Sequence, residues 1–310
     1  MAPSTILLNT PVVFQLLSDR ANLSDFENCE LIWEEDSLIV TLNSKKTQVK
    51  IPALSNETWL RDCLKRSPIK KVYLDPTMEE TMIKSWVDLC ESAQKQIYLK
   101  VPSIDDLPQL RQPRLWWVKR VADRFAASIL LLLLSPLMIV LSIGVWVDSP
   151  GPVLFRQWRV GNQGQLFRIY KFRSMQIGAE ARHHEVMGKQ VGLHKLKHDP
   201  RITRVGQWLR TLSLDELPQL INVLQGNMSL VGPRPWALYD AIRIESRLRG
   251  RLNVMPGITG PWQVSTRSNE LDLYAVTCCD LAYLQQWNLI RDFRILLITI
   301  PKVLFRNGAY

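Results

Sequence analysis

The feature that most constrains this chain is a long apolar run. From Phe125 to Val147 there are about 23 residues without a charged side chain. A helix of that length, at about 1.5 Å per residue, is long enough to cross a hydrocarbon core of roughly 30 Å. A buried core helix is the alternative, but the unbroken leucines from Leu130 to Leu134 argue against it. The run therefore predicts a membrane-inserted segment.

A proline lies near the middle of this run, in the step Ser135-Pro136. Proline removes a backbone hydrogen bond and clashes with the preceding turn, so we expect the helix to kink or break there. Each half would then have about 11 residues, which is too short to cross a bilayer alone. Ser135 and Pro136 are therefore predicted to be the membrane residues at which the segment turns.

Basic residues flank the apolar run on both sides. Lys119, Arg120 and Arg124 precede it, and Arg156 and Arg159 follow it. The excess of Lys and Arg in cytoplasmic loops places both flanks on the cytoplasmic side. A helix that enters the membrane, bends at the Ser-Pro step and returns satisfies both observations, although a simple kinked span stays open.

Charge is distributed unevenly along the 310 residues. The net charge of +10 arises from −3 in residues 1–113 and +13 in residues 114–310. This asymmetry indicates two modules, of which only the second favours an anionic partner such as nucleic acid, a membrane surface or a phosphorylated substrate. No nucleic-acid recognition element accompanies the basic half, so we expect no nucleic-acid partner.

Cysteine usage and the first residues bear on the compartment. The five cysteines show no CxxC spacing, which argues against a disulfide framework and favours a reducing environment. The N-terminus has no basic segment typical of a secretory signal. His194 and His198 are four residues apart, but no acidic or cysteine cluster completes a zinc site around them.

The sequence of residues 1–113 predicts a small α/β domain. The pattern β-α-β-α-β indicates a parallel sheet. Its predicted elements are strands at Leu38–Leu42, Lys71–Leu74 and Ile97–Val101, a helix from Asn56 to Lys65, and a helix from Thr77 or Glu79 to Ala93. No glycine-rich phosphate-binding motif is present, so a folding or regulatory role is favoured over nucleotide binding.

The second half begins with a predicted β-hairpin. Residues 153–160 and 166–173 are predicted strands around the turn at 161–164. Lys171 and Arg173 would share one face, since side chains alternate along a strand. Near the C-terminus, apolar residues from Asp292 to Phe305 recur at helical spacing with basic residues nearby, which fits either a membrane-surface helix or one packed on the core.

The segment from Ser213 to Pro218 contains two adjacent carboxylates, Asp215 and Glu216. Ser213 and Glu216 fit a capping box at the start of a helix, which is a structural explanation for Glu216 but not for Asp215. Amide groups at a helix N-terminus hold a carboxylate ionised and also bind phosphate. Asp215 is therefore a candidate nucleophile for an aspartyl phosphate.

Several cations accompany these carboxylates. Pro233 and Pro235 place Arg234 on a stiff backbone. One guanidinium group can bind two phosphate oxygens at once, in a bidentate contact. Lys171 on the hairpin is a further candidate for substrate binding. Other cations near the carboxylates are Arg173, Arg201, Arg204 and Arg210, whereas a solvated basic face near anionic lipid is favoured for Arg243, Arg247, Arg249 and Arg251.

Residues 117–305 resemble the bacterial monotopic phosphoglycosyl transferases. The resemblance rests on motifs in a fixed order: the basic and apolar segment with Ser135-Pro136, Ser149 to Val153, Lys171 to Met175, Thr203 to Gly206, Ser213 to Pro218, Met228 to Pro235, and Pro256 to Gly260. Members of that family attach a sugar phosphate to a polyprenyl phosphate at the start of surface-polysaccharide assembly.

The resemblance implies a role for each candidate residue. Asp215 would attack the β-phosphate of a nucleotide-sugar, and Glu216 would help to hold Mg²⁺. Arg173 and Arg210 would stabilise phosphate charge. Arg234, with Pro233 and Pro235, would help to bind the nucleotide, and the covalent sugar phosphate on Asp215 would pass to the lipid phosphate.

Together these observations predict an α/β N-terminal domain (1–113), a membrane-inserted segment (114–150), and an α+β membrane-associated catalytic domain (151–310) with surface amphipathic helices. The implied partners are a UDP-sugar, polyprenyl (undecaprenyl) phosphate, the bacterial inner membrane on its cytoplasmic face, and a second copy in a homodimer. The alternative is a non-catalytic, membrane-docked scaffold of a polysaccharide pathway.

Overall fold

The computed structural model describes Phe26 and residues 29–42, 52–104, 106–179, 199–265 and 273–304. The chain divides into two compact units. The first contains residues 1–101 and 164–166, and the second contains residues 102–163 and 167–310. The four histidines lie within the stretch 180–198, which is outside the described residues.

The first unit is a four-stranded sheet with helices between its parallel strands. Its elements are β1 (Cys29–Glu34), β2 (Ser37–Leu42), a 3₁₀ helix (Pro52–Ser55), α1 (Glu57–Arg66), β3 (Lys71–Leu74), α2 (Glu80–Ser92) and β4 (Gln96–Leu99). The strand order is β1-β2-β3-β4, antiparallel between β1 and β2 and parallel elsewhere. The predicted three strands and two helices are confirmed, while β1 was not predicted.

Alternation along the strands builds the core of the first unit. Val40, Val72 and Leu99 are fully buried on one face of the sheet, and Trp86 of α2 is fully buried with them. Asn56 caps α1 as expected, because its side-chain oxygen accepts a hydrogen bond of 3.0 Å from the amide of Trp59.

The second unit begins before the predicted domain boundary at residue 113. Leu107 lies in a buried cluster with Val231 and Val254, and Ile104 packs against that cluster. Arg111 donates hydrogen bonds to backbone carbonyls near residue 284. The prolines in residues 102–113 are typical of a linker. The apolar side chains of this stretch nevertheless pack in the core of the second unit.

The second unit mixes helices with two small sheets. Its elements are α3 (Pro108–Arg111), α4 (Pro113–Asp148), β5 (Leu154–Val160), β6 (Leu166–Phe172), α5 (Arg204–Thr211), a 3₁₀ helix (Leu214–Glu216), α6 (Gln219–Gln225), β7 (Ser229–Val231), α7 (Leu238–Ala241), a 3₁₀ helix (Ser246–Asn253), β8 (Gly257–Thr259), α8 (Pro261–Val264), α9 (Leu273–Gln285) and α10 (Leu289–Leu304). β5 pairs with β6, as predicted, and β7 runs parallel to β8.

Helix α4 is continuous through Ser135-Pro136, so the predicted break is absent. Pro136 lies inside one helix of 36 residues. Proline cannot donate to the carbonyl four residues back, that of Leu132, but the hydroxyl of Ser135 donates to this carbonyl at 2.8 Å. The serine therefore satisfies the group that the proline leaves free, as happens in membrane helices.

One stripe of α4 packs along the second unit over most of the apolar run. Its residues recur every three or four positions and contact two buried clusters: Ala127, Leu131, Leu134, Met138, Leu141 and Val145. The other faces are exposed, with Leu132 at 76 % and Val147 at 68 %. Within the described residues, α4 is the one helix long and apolar enough to cross a membrane.

A buried polar network fixes the base of α4 to the rest of the unit. Lys119, 3 % exposed, forms ion pairs with Asp123 at 3.4 Å and with Asp292 of α10 at 2.7 Å. Ser229 donates to Asp123 at 2.5 Å, and Tyr283 donates to Asp292 at 2.5 Å. Lys119 was predicted to be a membrane-flanking charge, but the structure places it in the interior.

Helix α10 carries apolar residues on two faces. Ile295 is buried in the core of the second unit. Phe293, Leu297 and Ile300 are between 52 % and 62 % exposed. Core packing therefore accounts for one face of the predicted amphipathic helix and leaves the other uncovered.

Candidate active site

The two carboxylates lie in a tight turn between two helices. After α5, Ser213 adopts a left-handed conformation with φ of 53°, and residues 214–216 form a 3₁₀ turn. Pro218 then precedes the first residue of α6. Ser213 makes no capping hydrogen bond, so the predicted capping box is wrong. The side chain of Glu216 is directed to cations instead.

Glu216 is the centre of an ion-pair group. Its Oε1 accepts from Nζ of Lys171 at 2.6 Å and from Nη2 of Arg234 at 3.1 Å. Burial by itself would raise the pKa of Glu216, but the charges of Lys171 and Arg234 outweigh burial and hold this pKa below its usual range. Glu216 is therefore a fixed negative charge between the hairpin and the loop after β7.

Asp215 is buried beside this group without a partner of its own. Its residue is 7 % exposed, and within the described residues its side chain makes no hydrogen bond or ion pair. Burial raises the pKa of Asp215, the charge of Lys171 lowers it, and the charge of Glu216 raises it, so that it lies above the ordinary value. Backbone amides at a helix N-terminus were expected to stabilise the ionised form of Asp215, but among the described residues they do not hydrogen-bond to it. The nearby cations are the groups that favour its ionised form instead.

Arg210 and Arg173 approach the site differently. The Nε of Arg210 donates to Oγ of Ser174 at 2.8 Å, and the charge of Asp215 opposes the effect of burial, which lowers the pKa of Arg210. Arg173 donates to the carbonyl of Ser149. The structure thus brings Arg210 close to Asp215, whereas the guanidinium of Arg173 lies against the turn before the hairpin.

The two prolines around Arg234 are held by backbone contacts. The carbonyl of Pro233 accepts from the amide of Gly257 at 2.9 Å. The carbonyl of Pro235 accepts from Nη1 of Arg159 at 3.2 Å. Arg234 therefore projects from a segment that β8 and β5 fix on its two sides.

A buried ion pair supports the same segment. Arg251 and Asp280 are each 1 % exposed at the side chain and lie 2.6 Å apart. The Nη2 of Arg251 also donates to the carbonyl of Arg234 at 3.0 Å. The sequence predicted a solvated position for Arg251, and this was wrong because its partner is 29 residues away, beyond any local pattern.

Arg159 also lies at a position that the sequence did not predict. It was predicted to flank the membrane segment, but it lines a small cavity together with Ile169, Lys171, Gln219, Arg234 and Pro235. Gln219 had not been singled out either. The one available signal was alternation on β5, which places Arg159 on the face opposite Arg156 and Trp158.

The described residues contain no group of three or more His, Cys, Asp or Glu side chains that could hold a metal ion. Asp215 and Glu216 are two adjacent carboxylates, and Asp215 has no protein partner among those residues. Mg²⁺ is commonly bound through one or two carboxylates together with substrate phosphates. The pair therefore fits Mg²⁺ when phosphates complete its coordination.

The site thus contains two adjacent carboxylates among cations, on a unit that carries a long and largely exposed apolar helix. Comparison with known sequences gives the family. The sequence model of the bacterial sugar transferases matches residues 114–306, so the chain belongs to the bacterial sugar transferase family.

Several curated relatives share this region. Galactosyl transferase CpsE of Streptococcus agalactiae is 42% identical over 194 residues, covering 62% of this chain and 43% of that protein. Undecaprenyl-phosphate galactose phosphotransferase of Salmonella typhimurium is 42% identical over 63% of this chain and 42% of its own length. UDP-glucose:undecaprenyl-phosphate glucose-1-phosphate transferase of Caulobacter vibrioides is 42% identical over 62% of this chain and 72% of its own. The chain thus spans less than half of the first two relatives.

The charge of Lys171 predicts a pH effect on the site. If Asp215 reacts as a carboxylate, its reaction slows as pH falls through its raised pKa. Lys171→Gln removes a charge that lowers the pKa of Asp215, so this pKa rises further and the acidic limb of the pH–rate profile moves to higher pH. The measurement is the single-turnover rate of the reaction at Asp215 against pH. Lys70→Gln, at a lysine whose side chain is 76% exposed, is the control, and an identical limb in Lys171→Gln and wild type would contradict the prediction.

Proposed function

We propose that this protein transfers a sugar-1-phosphate from a UDP-sugar to undecaprenyl phosphate through a covalent intermediate on Asp215. The observation that carries the proposal is the environment of Asp215: a carboxylate 7 % exposed, without a partner among the described residues, beside Lys171, Arg210 and Arg234. A poorly solvated carboxylate without an ion-pair partner costs free energy. A role as the nucleophile toward a phosphoryl group would explain why the protein keeps it there.

The first step forms a bond from Asp215 to phosphorus. A carboxylate oxygen attacks the β-phosphorus of the UDP-sugar, and the bond between that phosphorus and the bridging oxygen of UMP breaks. UMP leaves with the bonding electron pair, and the sugar phosphate stays on Asp215 as an acyl phosphate. Lys171, Arg210 and Arg234 stabilise the negative charge on the phosphate oxygens.

The second step returns Asp215 to its starting form. A phosphate oxygen of undecaprenyl phosphate attacks the same phosphorus, the acyl phosphate bond breaks, and Asp215 leaves as a carboxylate. The product is a sugar linked to the lipid by a diphosphate. Glu216 keeps its negative charge throughout, which holds Lys171 and Arg234 in place between the two half-reactions.

Mg²⁺ held by Asp215 and Glu216 would supply neutralisation of the donor diphosphate when bound. Glu216 is suited to this role because cations keep its carboxylate ionised. Its Oε1 is shared with Lys171 and Arg234, so a cation would bind at the remaining oxygen together with substrate phosphates.

We further propose that α4 inserts into the cytoplasmic face of the inner membrane and that both its ends remain on that face. The stripe from Ala127 to Val145 contacts the second unit through both halves of the apolar run. A polar unit that contacts both halves lies on one side of the bilayer, because it cannot follow a helix through the hydrocarbon core. This arrangement brings the lipid phosphate to the level of Asp215.

Cysteine labelling tests the topology. With the native cysteines replaced, Arg114→Cys and Pro152→Cys introduce single thiols at exposed positions on the two sides of the apolar run. We expect a membrane-impermeant maleimide to label both thiols in inverted inner-membrane vesicles and neither in intact spheroplasts. Labelling of one thiol from each side would show a spanning helix and contradict the proposal.

Nucleotide release tests the activity. The purified chain in detergent, with Mg²⁺ and undecaprenyl phosphate, is expected to release UMP from at least one of UDP-glucose and UDP-galactose, the sugars suggested by the names of the relatives. The lipid product is followed with a radiolabelled sugar. A chain that binds these donors but forms neither UMP nor labelled lipid would contradict the proposal and favour a scaffold.

A further inference from the structure

Two side chains in the cavity beside Glu216 have no role in the steps above. The first is Gln219, the first residue of α6, which is 2 % exposed and lines the cavity. Its carboxamide makes no hydrogen bond with any residue that the structure describes. Because it lines the cavity and has no hydrogen bond to the described residues, the carboxamide of Gln219 is available to donate to a ligand there.

The second is Arg159 on β5. Its Nη1 donates to the carbonyl of Pro235 at 3.2 Å and its Nη2 to Oε1 of Gln157 at 2.6 Å. Its Nε is buried and has no partner within the described part of the chain. No described carboxylate lies within 4.0 Å of this half-buried guanidinium, so Arg159 has no direct ion-pair partner among the described residues.

The other cations of the cavity have an ion-pair partner. Lys171 and Arg234 share the carboxylate of Glu216 at 2.6 Å and 3.1 Å. Among the cations that line the cavity, Arg159 is therefore the one without an ion-pair partner in the described part of the chain, and Gln219 is a neutral donor there without a hydrogen bond. An anion with several oxygen acceptors satisfies both groups, since a guanidinium and a carboxamide each donate to phosphate oxygens.

We propose that Arg159 and Gln219 bind the phosphate that leaves with the nucleoside, the α-phosphate of the donor. This inference rests on the proposed function. When a carboxylate attacks the β-phosphorus, the leaving oxygen lies on the opposite side of that phosphorus, roughly in line. Arg210 lies close enough to Asp215 to feel its charge, whereas Arg159 is anchored at the carbonyl of Pro235, the residue after Arg234 in the chain. Arg159 and Gln219 thus stabilise the departing UMP rather than the sugar phosphate that remains.

Two conservative variants test this subsite. Gln219→Met keeps the length of the side chain and removes its donors, and Arg159→Lys keeps the charge and removes the planar fork. We expect each to raise the KM for the UDP-sugar and the inhibition constant of UMP by about tenfold, the loss of one or two hydrogen bonds to a charged group, while inhibition by uridine is unchanged. Uridine serves as the probe because it has no phosphate.

Matched controls come from the same elements. Gln225→Met lies at an exposed position of α6, and Arg156→Lys lies at an exposed position of β5. Both are expected to leave the inhibition constant of UMP within about twofold of wild type, as surface substitutions do. If Gln219→Met fails to fold, Gln219→Glu retains an amide-sized group and adds a charge that repels phosphate, and we expect it to weaken UMP binding further.

Equilibrium binding of UMP separates this proposal from the proposed function. The measurement uses the purified full chain with neither donor nor acceptor, so it does not depend on turnover. A wild-type chain that binds UMP, with variants that bind it less, supports the subsite even if no sugar phosphate is transferred. UMP binding that is absent in wild type, unchanged in both variants, or weakened only as much as uridine binding would overturn it.

Discussion

Asp215→Asn is expected to reduce UMP release by about a thousandfold or more, because the amide cannot form the acyl phosphate. The substitution preserves the size of a side chain that has no hydrogen-bond partner among the described residues, so the fold should be retained. The measurement is the rate of UMP release at saturating donor. Binding of UMP to the variant should persist, since Arg159, Lys171 and Arg234 are unchanged.

Asp62→Asn on the surface of α1 is the matched control for the loss of one carboxylate. Its side chain is 60% exposed, and we expect it to retain wild-type activity. If Asp215→Asn released UMP at a rate close to that of Asp62→Asn, Asp215 would not be the nucleophile. A direct transfer between donor and acceptor would then replace the two-step scheme.

Asp280→Ala is expected to lower the free energy of unfolding by about 3–5 kcal/mol, since it leaves Arg251 buried without its counter-charge. Both side chains are 1 % exposed, and Arg251 also holds the carbonyl of Arg234. A destabilised Arg251 should therefore loosen the Arg234 segment and raise the donor KM. Thermal unfolding in detergent and steady-state kinetics measure the two effects.

The double replacement Arg251→Met with Asp280→Leu is the informative comparison. Removing both charges leaves no unpaired ion, so the double variant should be more stable than Asp280→Ala. We expect its donor KM to stay raised, because the hydrogen bond to the carbonyl of Arg234 is lost in either case. A double variant as unstable as the single one would show that packing, not the uncompensated charge, accounts for the loss.

Local patterns in the sequence were sufficient for much of the secondary structure. The strands at Lys71–Leu74 and around residue 97 alternate apolar and polar residues, and Asn56 marks the start of α1 with a cap that depends only on its neighbours. The hairpin of β5 and β6 was likewise predicted, since its turn and alternation lie within about 20 residues. Such features need no knowledge of distant contacts.

Pairs that are distant in sequence could not be predicted in this way. Lys119 and Asp292 are separated by 173 positions, and their burial as an ion pair has no local signature. Arg251 and Arg159 have the composition of surface residues, and only the fold shows that one supports Arg234 and the other lines a cavity. Charge alone therefore assigned these residues to solvent or lipid.

The candidate site was predicted in part. Asp215, Glu216, Lys171 and Arg234 were singled out from the sequence, and the structure brings the last three together as ion pairs. The contacts that hold Glu216 were not predicted. The sequence suggested a capping box, a local contact that the structure does not contain. Long-range ion pairs replace it.

The membrane segment shows how a local rule can be overridden. Proline at position 136 predicted a break, and the preceding serine cancels the main cost by donating to the free carbonyl. Ser135→Ala would leave that carbonyl unsatisfied. The pair Ser135-Pro136 therefore acts as one unit within a continuous helix.

Attachment of a sugar phosphate to Asp215 can be detected directly. The full chain is incubated with a UDP-sugar and Mg²⁺ in the absence of lipid acceptor, quenched, digested and analysed by mass spectrometry. We expect one added hexose phosphate on the peptide that contains Asp215, and its loss when undecaprenyl phosphate is supplied before quenching. Lipid product formed by a chain that never carries the added mass, or an adduct on another residue, would contradict it.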